Sequence, residues 1–330
     1  VHKPWPILWV VLLIAGAGSS PAQTQPPSTT VIAAGDILLG RKLGVDMHRS
    51  GDYSLPFQAM APLLQQADIA FGNFEGVFCE KPPWPVSGMV FRLRPEAVAS
   101  LHAGGFDVVS VANNHFGDGG EPCLTFSLAH LRQNGVATAG AGAHFAEAHT
   151  PAILERQGLR FAFLAYTYAA RNDVRGAVRP VIAGRNSEQM RRDVAAARQQ
   201  SDIVIVSLHD GTEYVQRVAR ETEEFARAAI DAGAVAVFGH HPHVPQRVEP
   251  YKDGWIFYSL GNFVFQQNTP PAVRHALLAR LTFSEKQLAQ VEAIPAVIEY
   301  FARPRPATPE EAARILQSIG LRDSVLWRAP

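Results

Sequence analysis

After residue 30 the chain alternates short apolar runs, each ending in polar residues, with longer stretches of helical spacing. Residues 30–36, 68–75, 106–112, 202–208 and 235–238 are nearly unbroken apolar runs of strand length. Strands covered on both faces, as in a parallel sheet, read this way. Helical spacing predicts helices over 56–67, with Phe57, Met60, Leu63 and Leu64 as the buried stripe, and over 95–103, 124–134, 187–200 and 221–232. A short strand is expected at 136–140, and two more within 152–167, joined around Arg156, Gln157 and Gly158. From His275 onward apolar and polar residues alternate over 275–283 and 288–300, as in antiparallel packing strands. Thr308 as N-cap, Pro309 at the first helical position and the acids Glu310 and Glu311 predict a C-terminal helix. Alternating strands and helices place the chain in the α/β class. Neither an internal repeat nor a linker interrupts 31–330, which reads as one domain.

The N-terminus stands apart. His2 and Lys3 precede the apolar run 7–14, and small residues follow up to Ser20, Pro21 and Ala22. That order is a secretory signal over 1–22; an uncleaved membrane anchor is the alternative, although the run is short for a span of about 20 residues. Residues 23–30, rich in Pro, Gln, Ser and Thr, read as a flexible spacer. The mature protein is expected to be exported, periplasmic or extracellular, and tethered if the signal is retained.

Composition narrows the function. Hydrophobic residues make up 47%, enough for a sizeable core. Thirty Lys and Arg balance thirty Asp and Glu, which argues against a general nucleic-acid partner. The only two cysteines, Cys79 and Cys123, stand in a chain expected to be exported; an oxidising compartment permits a bond between them, and two free thiols are the other reading. Residues 168–192 carry six arginines against few acids, either a basic lid over an anionic substrate or an exposed loop. Arg92 offers a forked donor for a substrate carboxylate or phosphate; Arg94 reads as solvated surface.

The chemistry gathers at the strand ends. The first strand ends in Asp36, the second in Asn73 and Glu75, and the third in Asn113, Asn114 and His115, with Asp118 close behind. The run 202–208 ends in His209, with Glu213 and Tyr214 following. The run ending at Gly239 is followed by His240, His241 and His243, which Pro242 would splay on a rigid turn. In a mostly parallel sheet such ends converge on one side. Carboxylate, amide and imidazole without thiolate suit one or two divalent ions, Mn, Fe or Zn. Two ions bridged by one carboxylate would activate water for hydrolysis of an ester or amide.

The motifs Gly35-Asp36 with Gly40-Arg41, Asn73-Phe74-Glu75, Asn113-Asn114-His115 with Asp118, His209 with Glu213 and Tyr214, Gly239 to His243, and Ser259 to Val264 resemble those of the CapA family. These are poly-gamma-glutamate capsule biosynthesis proteins related to the calcineurin-like metallophosphatases, and the motifs cover roughly residues 30–266 in order. The resemblance implies a metallophosphatase-like layered α/β sandwich with mixed sheets. It implies Asp36 on a first metal, Glu75 bridging, Asn114 on a second, and His209 with two of the clustered histidines completing the shell. Spacing favours His241 and His243, whereas the preceding glycine favours His240. His115 would act as acid, oriented by Asp118, and Arg41, Arg92 and Glu213 would contact substrate. Two positions depart from the pattern. Leu38 stands where metallophosphatases carry a histidine, and Asp210 stands where the family usually has tryptophan. The expected function is capsule-polymer biosynthesis, as a metal-dependent hydrolase of an envelope polymer or its precursor. The alternative is a non-catalytic accessory that binds the anionic polymer or a membrane-bound synthase.

Overall fold

The computed structural model describes residues 28–299 and 302–329. The expected signal segment, 1–22, lies outside them. The first strand, β1, runs Ser28–Ile37, so it begins three residues inside the segment read as spacer. Thr29, Val31 and the residues from Ile32 to Ile37 are buried there, which gives the segment a place in the sheet.

In chain order there follow α1 (Arg41–Ser50), β2 (Ile69–Phe74), α2 (Val98–Gly104), β3 (Val108–Ser110), α3 (Gly120–Gln133), β4 (Ala137–Ala139), β5 (Ala152–Arg156) and β6 (Leu159–Thr167). The second half adds α4 (Ser187–Ala197), β7 (Ile203–His209), α5 (Arg220–Asp231), β8 (Ala236–His240), β9 (Val248–Tyr251), β10 (Gly254–Phe257) and β11 (Asn262–Val264). It closes with β12 (His275–Ser284), β13 (Gln287–Glu299), β14 (Arg303–Pro306), α6 (Pro309–Ser318) and β15 (Val325–Arg328). Thr308 and Glu311 form the capping box that starts α6.

The strands make two large mixed sheets. One has the order β14-β13-β12-β1-β2-β3-β4, with β11 also paired to β1 and β15 to β13. The other has the order β9-β10-β8-β7-β6-β5. Their central strands are parallel, and β12 to β15 pair antiparallel as the alternating pattern required. The sheets face each other across an aromatic layer in which Phe71 stacks on Phe163, ring centroids 5.6 Å apart, and Phe161 meets Phe283 edge-on. The layered α/β sandwich is the expected architecture.

Alternation along β7 explains the layering. Ile203 and Ile205 join the core between the sheets, whereas Val204, Val206 and Leu208 join the second core under α4 and α5. In β8, Ala236 and Phe238 face the first sheet and Val237 the helices. The same parity directs His209 and His240 toward the first sheet, where β1 and β2 end.

Some boundaries moved for identifiable reasons. The helix expected over 56–67 contracts to Ala61–Leu64, because Pro62 has no N–H with which to continue a helix back toward Gln58. Its stripe is still core: Phe57, Met60 and Leu64 are fully buried. Helix α1 was not legible, since Gly40 and Gly44 interrupt its pattern and it buries only Leu43 and Met47. Strand β8 reaches His240, so the turn starts one residue later than the apolar run suggested.

Candidate metal centre

Asp36 sits at the end of β1, whose two parallel neighbours place Asn73 and Asn262 level with it. His209 and His240 end β7 and β8 in register with each other. The strands come unusually close here. A Cβ on Gly35 would lie 2.0 Å from the Gly261 carbonyl oxygen, and one on Gly239 2.0 Å from that of Tyr258. Glycine is required before both Asp36 and His240 because a neighbouring backbone occupies the side-chain space.

The loops are held as tightly. Asn113 accepts hydrogen bonds on Oδ1 from the amides of His115 and Phe116, fixing the turn after β3. His115 Nδ1 lies 2.8 Å from Asp118 Oδ2, and its ring stacks on Phe91 with centroids 3.8 Å apart. Its Nε2 is thereby aimed at Glu75 Oε1, 3.9 Å away. His241 and His243 have φ of 94° and 58°, a left-handed conformation costing about 1–3 kcal/mol per residue outside glycine. Such strain persists only where the surroundings impose it. Here the Tyr214 amide donates to the Pro242 carbonyl, and His243 Nδ1 lies 2.9 Å from Asn262 Oδ1.

Two groups of donor atoms result. Asp36, Glu75 and His209 form one and Glu213, His241 and His243 the other, each with its ligand atoms within 4.8 Å of one another. Glu75 links them, since its Oε1 is also 3.9 Å from His243 Nε2. Asn114 Oδ1 lies 2.8 Å from His209 Nε2, beside the first group. His240 joins neither group; its Nδ1 lies 3.4 Å from Asp36 Oδ1. Of the three clustered histidines, His241 and His243 stand in a donor group.

The electrostatics fit a cation. Both Glu75 carboxylate oxygens, both His240 nitrogens and His241 Nδ1 are buried with no hydrogen-bond partner among the described residues. A buried carboxylate without partners is costly unless a metal or a proton satisfies it. Burial, and then Asp36, push the Glu75 carboxyl well above the usual carboxylate range. Burial would also raise Asp36, but the close approach of His240 and His243 prevails and holds it well below its usual value. Against burial, Glu75 and Asp36 push His243 up to about 9. Glu75 and His243 thus both draw protons into a pocket of negative potential, the place a metal cation would take. Burial, with His241 as the next cause, holds His209 well below the imidazole range; burial and then His243 lower His241. Both are neutral imidazoles with a lone pair to give. The residues present fit a divalent metal centre.

The structure places the three residues expected to contact substrate as follows. Arg92 does not reach the centre: its guanidinium meets Cys79 Sγ at 3.3 Å and the Lys81 carbonyl, because neighbours on an extended segment face opposite ways and Phe91 takes the inward side. Arg41 does reach it, but donates to the carbonyls of Gln266 and Gly88, joining two loops around the site over the Phe91 ring. Glu213, expected to touch substrate, stands with His241 and His243. Asp210, on the opposite parity from His209, turns to the helix side and bonds Arg185 and Thr222. It adds no donor to the centre. The amides that hold the ligands were not singled out for any role: Asn73 Nδ2 donates to Asp36 and contacts His209, and Asn262 sets His243. Their positions at strand ends were the available signal.

Fold and site together define a two-sheet α/β protein with a candidate metal centre where the parallel strands end. Residues 30–267 match the family model described as "Bacterial capsule synthesis protein PGA_cap", and the chain belongs to that family. It is 30% identical to the Bacillus anthracis "Capsule biosynthesis protein CapA" over 84% of this chain and 69% of that protein. It is 28% identical to the Bacillus subtilis "PGA biosynthesis protein CapA" over 98% of this chain and 87% of that one. Among solved structures, a hypothetical protein from Thermus thermophilus aligns with a TM-score of 0.51 at 14% identity, covering 81% of this chain and 98% of its own, a likeness of fold.

Proposed function

We propose that this protein is an exported metal-dependent hydrolase that acts on an anionic envelope polymer, poly-gamma-glutamate or its precursor, during capsule synthesis. The observation that carries the reading is Glu75: a buried carboxylate with both oxygens unpartnered, one of the first donor group and 3.9 Å from both His243 of the second and His115. Asp36, Glu75, Asn114, His209, His241 and His243 would hold one or two divalent ions, Mn, Fe or Zn. When bound, such ions supply Lewis acidity and a nucleophilic water. The chain does the rest. His115 faces the centre through Nε2 and can protonate a leaving oxygen or nitrogen there, while Asp118 holds its Nδ1. Asn73 and Asn262 fix Asp36 and His243, and Arg41 keeps the loops at 88 and 266 against the site. Export is supported by the Cys79–Cys123 disulfide, which bridges the loop after Glu75 to α3 and belongs to an oxidising compartment.

The test is metal content per chain after incubation with Mn2+, Fe2+ or Zn2+ and desalting, followed by turnover of poly-gamma-glutamate. Wild type should retain metal and Glu75→Ala should lose it; full occupancy in that variant refutes the bridging role. His115→Ala should keep its metal and lose turnover by about 10²–10⁴-fold, the usual contribution of a general acid. Metal without turnover of any polymer would select the accessory role, binding the polymer or its membrane synthase.

A further inference from the structure

We propose that Glu213 is itself a metal ligand, filling the coordination place that Leu38 cannot supply and making this centre an oxygen-rich one suited to Mn2+. The inference rests on the metal-centre reading above and goes beyond it in assigning a ligand and a metal preference.

Leu38 cannot donate. Its side chain is buried in the core and its amide is bonded to the Val264 carbonyl. Histidine does not fill the gap either, since the one unassigned imidazole nearby, His240, lies in the strand behind Asp36 and joins neither donor group. Glu213 is where a ligand is needed. A carboxylate oxygen of Glu213 and one ring nitrogen each of His241 and His243 lie within 4.8 Å of one another, a span that one ion can draw together.

The backbone fixes that position. Gly211, at φ 117°, turns the chain back after His209, and Tyr214, at φ 65°, bonds its amide to the Pro242 carbonyl at 2.8 Å. Gln267 donates to the Tyr214 hydroxyl, and the Tyr214 ring lies 6.1 Å from that of His243. Two turns with left-handed backbone are therefore docked against each other with Glu213 between them. Among the described residues no lysine, arginine or histidine forms an ion pair with Glu213; its charge acts on the groups beside it, Tyr214, His241 and His243. The neighbouring carboxylate, Asp210, is by contrast neutralised by Arg185.

The chemistry follows from the donor count. With Glu213, three carboxylates and one amide oxygen surround the site alongside His209, His241 and His243. An imidazole replaced by a hard oxygen ligand shifts preference from Zn2+ toward Mn2+.

The experiment is calorimetric titration of the metal-free mature protein with Mn2+ and, separately, Zn2+, comparing wild type, Glu213→Gln and Glu213→His. Glu213→Gln should lose one Mn2+ per chain or bind it about a hundredfold more weakly, the upper end of what removing even an outer partner of a ligand costs. Glu213→His should regain the ion with the preference turned toward Zn2+. Metal-free Glu213→Gln should unfold at the same denaturant concentration as metal-free wild type, which separates a lost ligand from a damaged fold. Wild-type Mn2+ stoichiometry and affinity in Glu213→Gln would overturn the assignment. If wild type itself binds neither ion, the metal-centre reading falls and takes this one with it.

Discussion

The clearest quantitative consequence of the structure lies away from the metal centre, at His149. Its imidazole is buried between two carboxylates, Nδ1 2.7 Å from Asp193 and Nε2 2.8 Å from Asp173. Asp193 also accepts from Tyr166 and Gln189, and Asp173 from the Gly184 amide, so one imidazolium joins β6, α4 and the arginine-rich segment. Burial opposes the charge, but the two carboxylates outweigh it and push the pKa from 6.5 up to about 9. At 1.36 kcal/mol per unit this is about 3 kcal/mol of stability. A cavity of about 580 Å³ bordered by Phe145, His149 and Asp193 brings solvent close, and screening reduces the figure to roughly 2 kcal/mol. The folded pKa lies above the unfolded one, so the contribution is complete below about pH 6.5 and is lost as pH rises through about 9. The assay is urea unfolding of wild type and His149→Gln at pH 6, 7.5 and 9.5. Other titrating groups cancel in the difference, which should shrink by about 2 kcal/mol from the lowest pH to the highest. A difference that stays constant across the range would refute the charged clasp.

Two further predictions concern the frame of the site. The Cys79–Cys123 bond closes a loop of 44 residues, worth about 3–4 kcal/mol by chain entropy. Reduction should therefore lower the melting temperature by roughly 5–6 °C; two free thiols in the unreduced protein would contradict the bond. Gly239→Ala would set a Cβ 2.0 Å from the Tyr258 carbonyl oxygen, an overlap of backbone that side-chain motion cannot relieve. It should destabilise the protein by at least about 3 kcal/mol, beyond ordinary overpacking. A denaturation midpoint within error of wild type would mean that the close approach of β8 and β10 is wrong.

The sequence revealed the site where chemistry and strand parity coincide. Asp36, Glu75, His115, His209, His241 and His243 each stand at or just beyond an apolar run. A parallel sheet delivers all such ends to one side, so one-dimensional order was enough to bring them together. It was not enough where the outcome depends on a single residue of parity or on a partner distant in the chain. Asp210 directly follows His209, but its odd-even position sends it to Arg185 and Thr222. Arg92 looked like an anion receptor, yet Phe91 takes the inward face and Arg92 meets Cys79. The choice among three clustered histidines turned on whether β8 ends at residue 239 or 240, a difference that neighbouring β7 decides by pairing His209 with His240.

The same argument explains why strain is concentrated at His241 and His243. Strand pairing places Asp36 level with Asn73 and Asn262 in one sheet and His209 level with His240 in the other. The remaining donors come from the turn beyond β8, where left-handed backbone at both histidines sets His241 and His243 beside Glu213 and brings His243 Nε2 to 3.9 Å from Glu75 Oε1. Glycine would remove the strain and the ligands together. The protein keeps both imidazoles and opposes the cost with the Tyr214–Pro242 bond, the Asn262 contact to His243 and the docking of the Glu213 turn, where Gln246 donates to the Val215 carbonyl. Those three contacts link residues 19 to 31 positions apart in sequence. For that reason the turn's conformation was invisible to local pattern, although its histidines were the first thing the pattern exposed.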